Sequence, residues 1–579
     1  MKHPSTQLQP DDPLLTLTHP PESGRYLRNW SSTYNHRPSL FFSPVSTAEV
    51  ALILREATRR GEKVRVVGEH ASPGPVWHGS WIISTQHFTS FVLLPPSTKR
   101  VRLGAGLKLR DVNPLLASHG LAFPTVGSLP DVSVGAYFAG PEHGSSAFHS
   151  VCASRAVSAR IVLPTGEVRE IKRGEELFRA AGAGVGAVGV VTEIEWELEE
   201  AFGLEVRMER VRLEDYLEDG TGRALWELAR SSEFVKLWHF PTPSLLGLTR
   251  TNTILWRARR VPLPPPAQPS LLASFQPLLT RALHGMMTLF TLYVYPPAQK
   301  WVNALLYWSG AWGLPRTETA RSYEAQQMDC LYNQLVDEWV VPFPAPSSPT
   351  SSSAPSPSSP APANPATALL SSLLTYLHSP AGQKMGLHAP LEIRFNACEK
   401  PGEEFYLSSS APVRIGEKGE TKGEERDLVM WVEPIVFRPF NLPTPARFYR
   451  FFEVFESLFR NPPTTSSSSS SSASSKTHPT SPSTIATGRP HWCKSHFPTS
   501  PAELSRMFGS QNVEAFHRAR LEVDKEGVMW NEWWEERVPT PRWLLKKAGE
   551  DEKGGLAHGR SEREGKRSGR WADVMGSAK

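Results

Sequence analysis

Two short strings, Glu392-Ile393-Arg394-Phe395 and Gly488-Arg489-Pro490-His491-Trp492-Cys493-Lys494, set fixed charges among bulky apolar and aromatic side chains. A charge held in such a partly dry cleft makes electrostatic contacts worth far more than in water. Glu392 and Arg394 lie two apart, which on a strand places both on one face. Their neighbours Leu391, Ile393 and Phe395 predict that the strand is buried, against the alternative of a surface ion pair. Lys494 adds a second cation in an aromatic string where core packing alone gives a lysine no role.

A third string, Gly184-Val185-Gly186-Ala187-Val188-Gly189, matches G-x-G-x-x-G. The dinucleotide fingerprint needs a strand before it and a helix after it, so that the helix start meets a pyrophosphate. Here a short helix, 175–181, precedes and an alternating strand, 188–199, follows. The Rossmann reading is therefore rejected in favour of a tight glycine bend that lets backbone approach another group closely, such as a ligand.

The elements that must position these residues follow from periodicity. Ser46-Thr47-Ala48-Glu49 reads as a capping box, and Val50, Ile53, Leu54 and Ala57 continue at helical spacing to Gly61. Strands are expected at 64–67, 81–84 and 101–103, a helix at 111–118, and a hairpin of 160–163 with 167–171 about Pro164-Thr165-Gly166. Beyond residue 200 strands are expected at 234–239, 253–257, 390–395 and 428–437, with helices at 322–339 and 446–459. Small strands and helices intermix throughout, an α+β pattern.

Composition bounds the rest. The 579 residues exceed one ordinary core. The Pro- and Ser-rich stretches 343–366 and 461–487 and the charged run 416–427 read as inserted loops, and the tail from about 546 as flexible. A net charge of +5, spread along the chain, argues against nucleic acid as the main partner. Cys152, Cys330, Cys398 and Cys493 show neither a Cys-x-x-Cys pair nor metal-ligand spacing, so a reducing compartment and no metal are expected. Residues 1–20 read as neither a secretory signal nor a transit peptide. The most apolar run, 286–295, inside a wider stretch 278–312 interrupted by Pro296, Pro297, Gln299 and Lys300, is too short to span a bilayer and reads as buried core or as an interfacial, membrane-touching segment.

Further strings fall in one order: Val66-Val67-Gly68-Glu69-His70-Ala71-Ser72-Pro73, Gly127-Ser128, Ser133-Val134-Gly135 and His143-Gly144-Ser145-Ser146. Trp256-Arg257-Ala258, Asp329-Cys330-Leu331-Tyr332-Asn333-Gln334, Val336-Asp337-Glu338-Trp339, and Asp524 with Gly527 and Asn531 follow them. Together with Glu-x-Arg-Phe and His-Trp-x-Lys, this set resembles the sugar-1,4-lactone oxidases of the vanillyl-alcohol oxidase flavoprotein superfamily. The resemblance implies a two-domain PCMH-type FAD-binding fold: an N-terminal extension at 1–36, the FAD domain at 37–201, an α+β cap and substrate domain at 202–537, and a tail at 538–579. It implies FAD contacts by Gly68, Glu69, His70, Ala71, Ser72, Gly127, Ser128, Ser133, Val134, Gly135, His143, Gly144, Ser145, Gly189 and Val191. It also implies that Glu392 holds sugar hydroxyls, that Arg394 and Lys494 stabilise negative charge, and that His491 and Trp492 shape the pocket. The implied reaction is oxidation of an aldono-1,4-lactone with oxygen as acceptor, at a mitochondrial membrane surface or in the cytoplasm.

Two departures stand out. The family's histidine that bonds covalently to FAD aligns with Ala71, with His70 one place early, so non-covalent FAD is expected unless the loop shifts by a residue. Where the family tends toward Thr-Gly-Thr-His, Gly140-Pro141-Glu142-His143 stands, with Glu142 expected to oppose a diphosphate. A dehydrogenase using another acceptor, and a non-catalytic paralogue with lost or weak FAD binding, remain alternative readings.

Overall fold

The computed structural model describes residues 8–78, 81–241, 251–266, 285–295, 298–328, 333–346, 364–412, 427–438, 442–462 and 487–541. Helix Thr47–Arg60 starts at Ser46, whose hydroxyl accepts from the Glu49 N–H at 3.2 Å, and stops at Gly61, which takes φ 68°. The capping box is only half formed. The Glu49 carboxylate accepts instead from the N–H groups of Val45 and Thr18, because the preceding chain folds over the first turn and offers donors there.

This helix buries Val50, Ile53, Leu54 and Ala57 with residues of a three-stranded parallel sheet ordered Leu40–Phe42, Trp81–Ser84, Val64–Val67. A five-stranded antiparallel sheet follows, ordered Val168–Lys172, Ala156–Val162, Val190–Glu197, Arg100–Gly104, Phe91–Leu93, and it contains the expected hairpin. Beyond residue 202 a larger antiparallel sheet runs Arg316–Arg321, Gly203–Val211, Thr253–Val261, Phe234–His239, Leu391–Ala397, Leu428–Phe437, Trp339–Phe343, Arg489–Pro490. The two strands Leu391–Ala397 and Leu428–Phe437 are buried at every position. Alternation sends Ile393 and Phe395 to one face and Glu392 and Arg394 to the other.

One expected helix is wrong. Among the described residues of 322–339 only Ser322–Gln326 is helical, while Gln334–Val336 and Trp339–Phe343 are strands paired with Leu428–Phe437. Val336, Trp339, Val340, Val341 and Phe343 are β-favouring and buried, so sheet pairing outweighs a weak helical pattern, and Pro342 cannot continue a helix. The expected insert 343–366 also ends early: Asn364 caps helix Pro365–His378, and Ala366 is already buried. Most of that insert, of 416–427 and of 461–487, together with Cys330 and the tail from 542, lies outside the described residues. Cys152, Cys398 and Cys493 form no disulfide.

Two connections lock the halves together. The segment 143–149 wedges between diverging strands: Ser145 Oγ accepts from the Phe395 N–H at 3.1 Å and donates to the Val235 carbonyl, and Asn396 Nδ2 donates to the His149 carbonyl at 3.0 Å. Near the C-terminal end, Asp524 accepts from the N–H groups of Val528 and Met529, folding a turn that hands the Val528 carbonyl to the Val64 N–H at 2.8 Å. Buried Arg65 then donates to the carbonyls of Met529, Val76 and Val185, which fixes the glycine bend at 184–189.

Candidate active site

A cavity opens between the two halves. Its walls come from 65–73 and 128–143 on one side, from the bend Val185, Gly186 and Gly189, and from Glu392, Arg394, Glu433, His491 and Lys494 on the other. The glycine bend is a backbone wall, with Ala183 and Val185 themselves at positive φ, as its rejection as a Rossmann motif requires. Gly68 is needed for a close approach: a Cβ there would lie 2.1 Å from Ser133 Oγ, so only glycine lets the first loop meet the second.

Of the expected cofactor residues, Gly68, Glu69, His70, Ala71, Ser72, Ser128, Ser133, Gly135, His143, Gly189 and Val191 line this cavity. Gly127, Val134, Gly144 and Ser145 do not. They support it from behind, Ser145 through the strand contacts above and Gly144 against Thr125, whose Oγ1 would sit 2.0 Å from an added Cβ. Trp492 is also misplaced in the sequence reading. Fully buried, it donates from Nε1 to the Leu407 carbonyl and stacks on Phe508, because its side chain points into the core and not with His491 and Lys494.

Glu392, Arg394, His491 and Lys494 converge as expected, but around two carboxylates that sequence reasoning passed over. Arg394 Nη2 donates to Glu338 Oε1 at 2.5 Å and to Glu433 Oε2 at 2.7 Å. Lys494 Nζ donates to Glu338 Oε2 at 2.6 Å and to Glu433 Oε1 at 2.9 Å. Glu392 Oε2 stands 3.8 Å from Arg394 Nε. Glu338 was visible only as part of a family string. Glu433 had its own signal, as the one charge in the otherwise apolar strand Leu428–Phe437.

Charge and burial set the protonation states. Burial opposes the ionised form of Glu338, but Arg394 and Lys494 overcome it and hold that carboxylate well below its usual range. Burial, with the negative charge of Glu338, pushes Glu433 up to about 7. Both cations lie above their ordinary values, held there against burial by the carboxylates. Burial raises Glu142, whose charged neighbours are Lys494, Glu338 and Arg394. The expected repulsion of a diphosphate by Glu142 is thus weakened, since its carboxyl is pushed toward the neutral form and belongs to the charge cluster. Glu69, the other acidic departure, is neutralised by Lys108 Nζ at 2.8 Å.

Nitrogens of His143 and His491 and an oxygen of Glu338 lie within 4.8 Å of one another, a spacing that suits a metal ion. Both Glu338 oxygens are already held by cations, and a divalent ion would face Arg394 and Lys494. The donor set therefore suits a polar ligand and not a metal. The same site fits a flavin: His70 Nε2, Ser128 Oγ, Glu392 Oε1 and His491 Nδ1 are buried with no hydrogen-bond partner among the described residues, and all four residues line the cavity. His70 itself is held at φ 52°, an uncommon conformation for a non-glycine residue.

Comparison with known proteins agrees with this geometry. A family model described as FAD binding domain matches residues 38–172, and one described as D-arabinono-1,4-lactone oxidase matches 194–347 and 483–537. A D-arabinono-1,4-lactone oxidase of Eremothecium gossypii is 24% identical over 502 residues, covering 81% of this chain and 82% of its own length. An L-gulonolactone oxidase of Scyliorhinus torazame is 23% identical and covers 88% of this chain and 98% of its own. Among solved structures, a solvent-stable cholesterol oxidase superposes with TM-score 0.62 at 15% identity over 90% of this chain and 98% of that one, a likeness of fold alone.

Proposed function

We propose that this chain is an FAD-dependent sugar-1,4-lactone oxidase like the relatives it resembles, and that it oxidises an aldono-1,4-lactone, with D-arabinono-1,4-lactone the first candidate, using oxygen as acceptor and releasing hydrogen peroxide. The product of that reaction is an ascorbate-type enediol lactone. One observation carries the reading: Arg394 and Lys494, from segments a hundred positions apart, meet at the cavity wall beside Glu392, opposite the loops 68–72 and 128–135. FAD, when bound, supplies the hydride acceptor; Gly68 to Ser72, Ser128, Ser133 and the bend at 185–189 would hold it.

The protein's own part is binding, orientation and charge. Glu392 Oε1 offers an open acceptor to a lactone hydroxyl, which fixes the C–H bond that must break. Arg394 and Lys494 place positive charge where negative charge develops, in surroundings dry enough to make it count. The test is peroxide formation by the purified yellow protein across several aldonolactones. A colourless protein that stays colourless after FAD is added would favour the non-catalytic paralogue, and slow reoxidation of the reduced enzyme by oxygen would favour a dehydrogenase.

A second observation supports a membrane-surface location. On helix Gln299–Ala311 the inward face buries Val302, Asn303 and Tyr307, yet Trp301, Leu305 and Trp308 project outward, with Trp312 next to them 82% exposed. Phe290, Val294 and Tyr295 are also exposed, and Lys300 is the only charge in 285–315. Such a Trp- and Tyr-rich neutral face suits the headgroup region of a bilayer. Among the described residues no helix is long and apolar enough to cross a membrane, so the contact we propose is peripheral. We propose a mitochondrial membrane surface, as the family resemblance suggests, with the cytoplasm as the alternative.

A further inference from the structure

We propose that Glu433 is the proton acceptor of this site, taking the proton of the lactone hydroxyl at the carbon that is oxidised. The inference rests on the lactone-oxidase reading and assigns it a residue. In the step, the O–H bond breaks and its proton goes to a Glu433 oxygen. The C–H bond breaks, its hydrogen leaves with both electrons to the flavin acceptor, and the C–O bond becomes double.

Position selects Glu433. Its Cα stands opposite that of Glu392 in the antiparallel register, and both residues line the cavity on the same sheet face. A hydroxyl held by the open Glu392 Oε1 therefore lies beside the Glu433 carboxylate. Arg394 and Lys494 occupy one lone pair on each Glu433 oxygen and leave the other free to bind a proton.

The remaining titratable neighbours serve less well. Glu338, from the turn before Trp339–Phe343, is held too acidic by its two cations to keep a proton. Glu142, from the loop on the opposite wall, does not share the sheet face of Glu392, and burial raises it, which disfavours the ionised carboxylate that a proton acceptor must offer. His143 and His491, from the loop and turn that close the cavity, are held by burial below the usual histidine range and bind a proton weakly. Asp337 faces Glu456 and Arg460 instead of the cavity. Glu433, near 7, both takes and releases a proton at neutral pH.

The test compares kcat/KM against pH for the wild type, Glu433→Gln and Glu433→Asp, and reads the protonated-carboxyl infrared band of each purified protein. The wild-type rate is expected to climb about tenfold per pH unit below about pH 7 and then level off. Glu433→Gln should lose at least about a hundredfold on the plateau and lose the climb, and Glu433→Asp should keep a displaced climb. A component of the wild-type band should titrate near pH 7 and be missing in Glu433→Gln, while the component of Glu399, near 8, persists in both. A Gln variant that keeps the climb, or that keeps the band component titrating near pH 7, overturns the assignment. If Gln does not fold, an Asp variant with an unmoved climb overturns it. A wild type that oxidises no aldonolactone overturns the oxidase reading instead, and the infrared band then judges Glu433 alone.

Discussion

Arg394 reaches over the intervening strand Leu428–Phe437 to place its Nη2 2.5 Å from Glu338 Oε1, two strands away in the sheet. Lys494 takes the other oxygen of the same carboxylate, so one buried glutamate fixes both cations at the cavity wall. Removing one member of such a buried network leaves the others imperfectly compensated, and that costs more than the pair was worth. Glu338→Gln should lower unfolding stability by on the order of 3 kcal/mol in a urea titration. A loss under about 1 kcal/mol would show that Glu433 alone suffices to hold both cations.

Lys494 has a different expected signature. Lys494→Met removes a charge aimed at the cavity while keeping the length of the side chain, so turnover should fall by at least about tenfold. Steady-state kinetics on the active lactone decides this, and an unchanged kcat would remove Lys494 from the chemistry.

Glu399 makes stability depend on pH in a direction opposite to an ordinary paired carboxylate. It is 4% exposed, its Oε2 has no hydrogen-bond partner among the described residues, and burial pushes it up to about 8 from 4.5. The native state thus holds a proton that the unfolded chain releases. The stabilisation is complete below about pH 4.5 and is lost as pH rises toward about 8, on the order of 5 kcal/mol at most. Unfolding free energies of the wild type measured over that interval should fall with pH more steeply than those of Glu399→Gln.

Ala71 stands where the family places its linking histidine, and His70 lines the cavity at positive φ with Nε2 unpartnered among the described residues. Acid precipitation of the yellow protein should leave the flavin in the supernatant. Flavin retained in the pellet of the wild type but released from His70→Ala would instead establish a covalent bond at His70.

Trp301, Trp308 and Trp312 should carry the membrane contact. Replacing all three with Ser is expected to abolish co-flotation with phospholipid vesicles while leaving soluble turnover unchanged, since none of them lines the cavity. Equal flotation of the two proteins would refute the peripheral contact.

The sequence by itself determined the local elements whose cues are short-range: Ser46 and Gly61 bracket a helix, Pro164-Thr165-Gly166 turns a hairpin, and Glu392 with Arg394 two apart shares a strand face. It also determined that the glycine string at 184–189 is no Rossmann turn, because the order of flanking elements can be read locally. Only the tertiary structure decided that 334–343 pairs as strands, that Trp492 turns inward, and that Glu338 and Glu433 join Arg394 and Lys494. Each of these depends on contacts between residues tens to hundreds of positions apart. Burial then acts on charges the chain brings together, and it is this long-range assembly, absent from any local pattern, that gives Glu433 its unusual affinity for a proton.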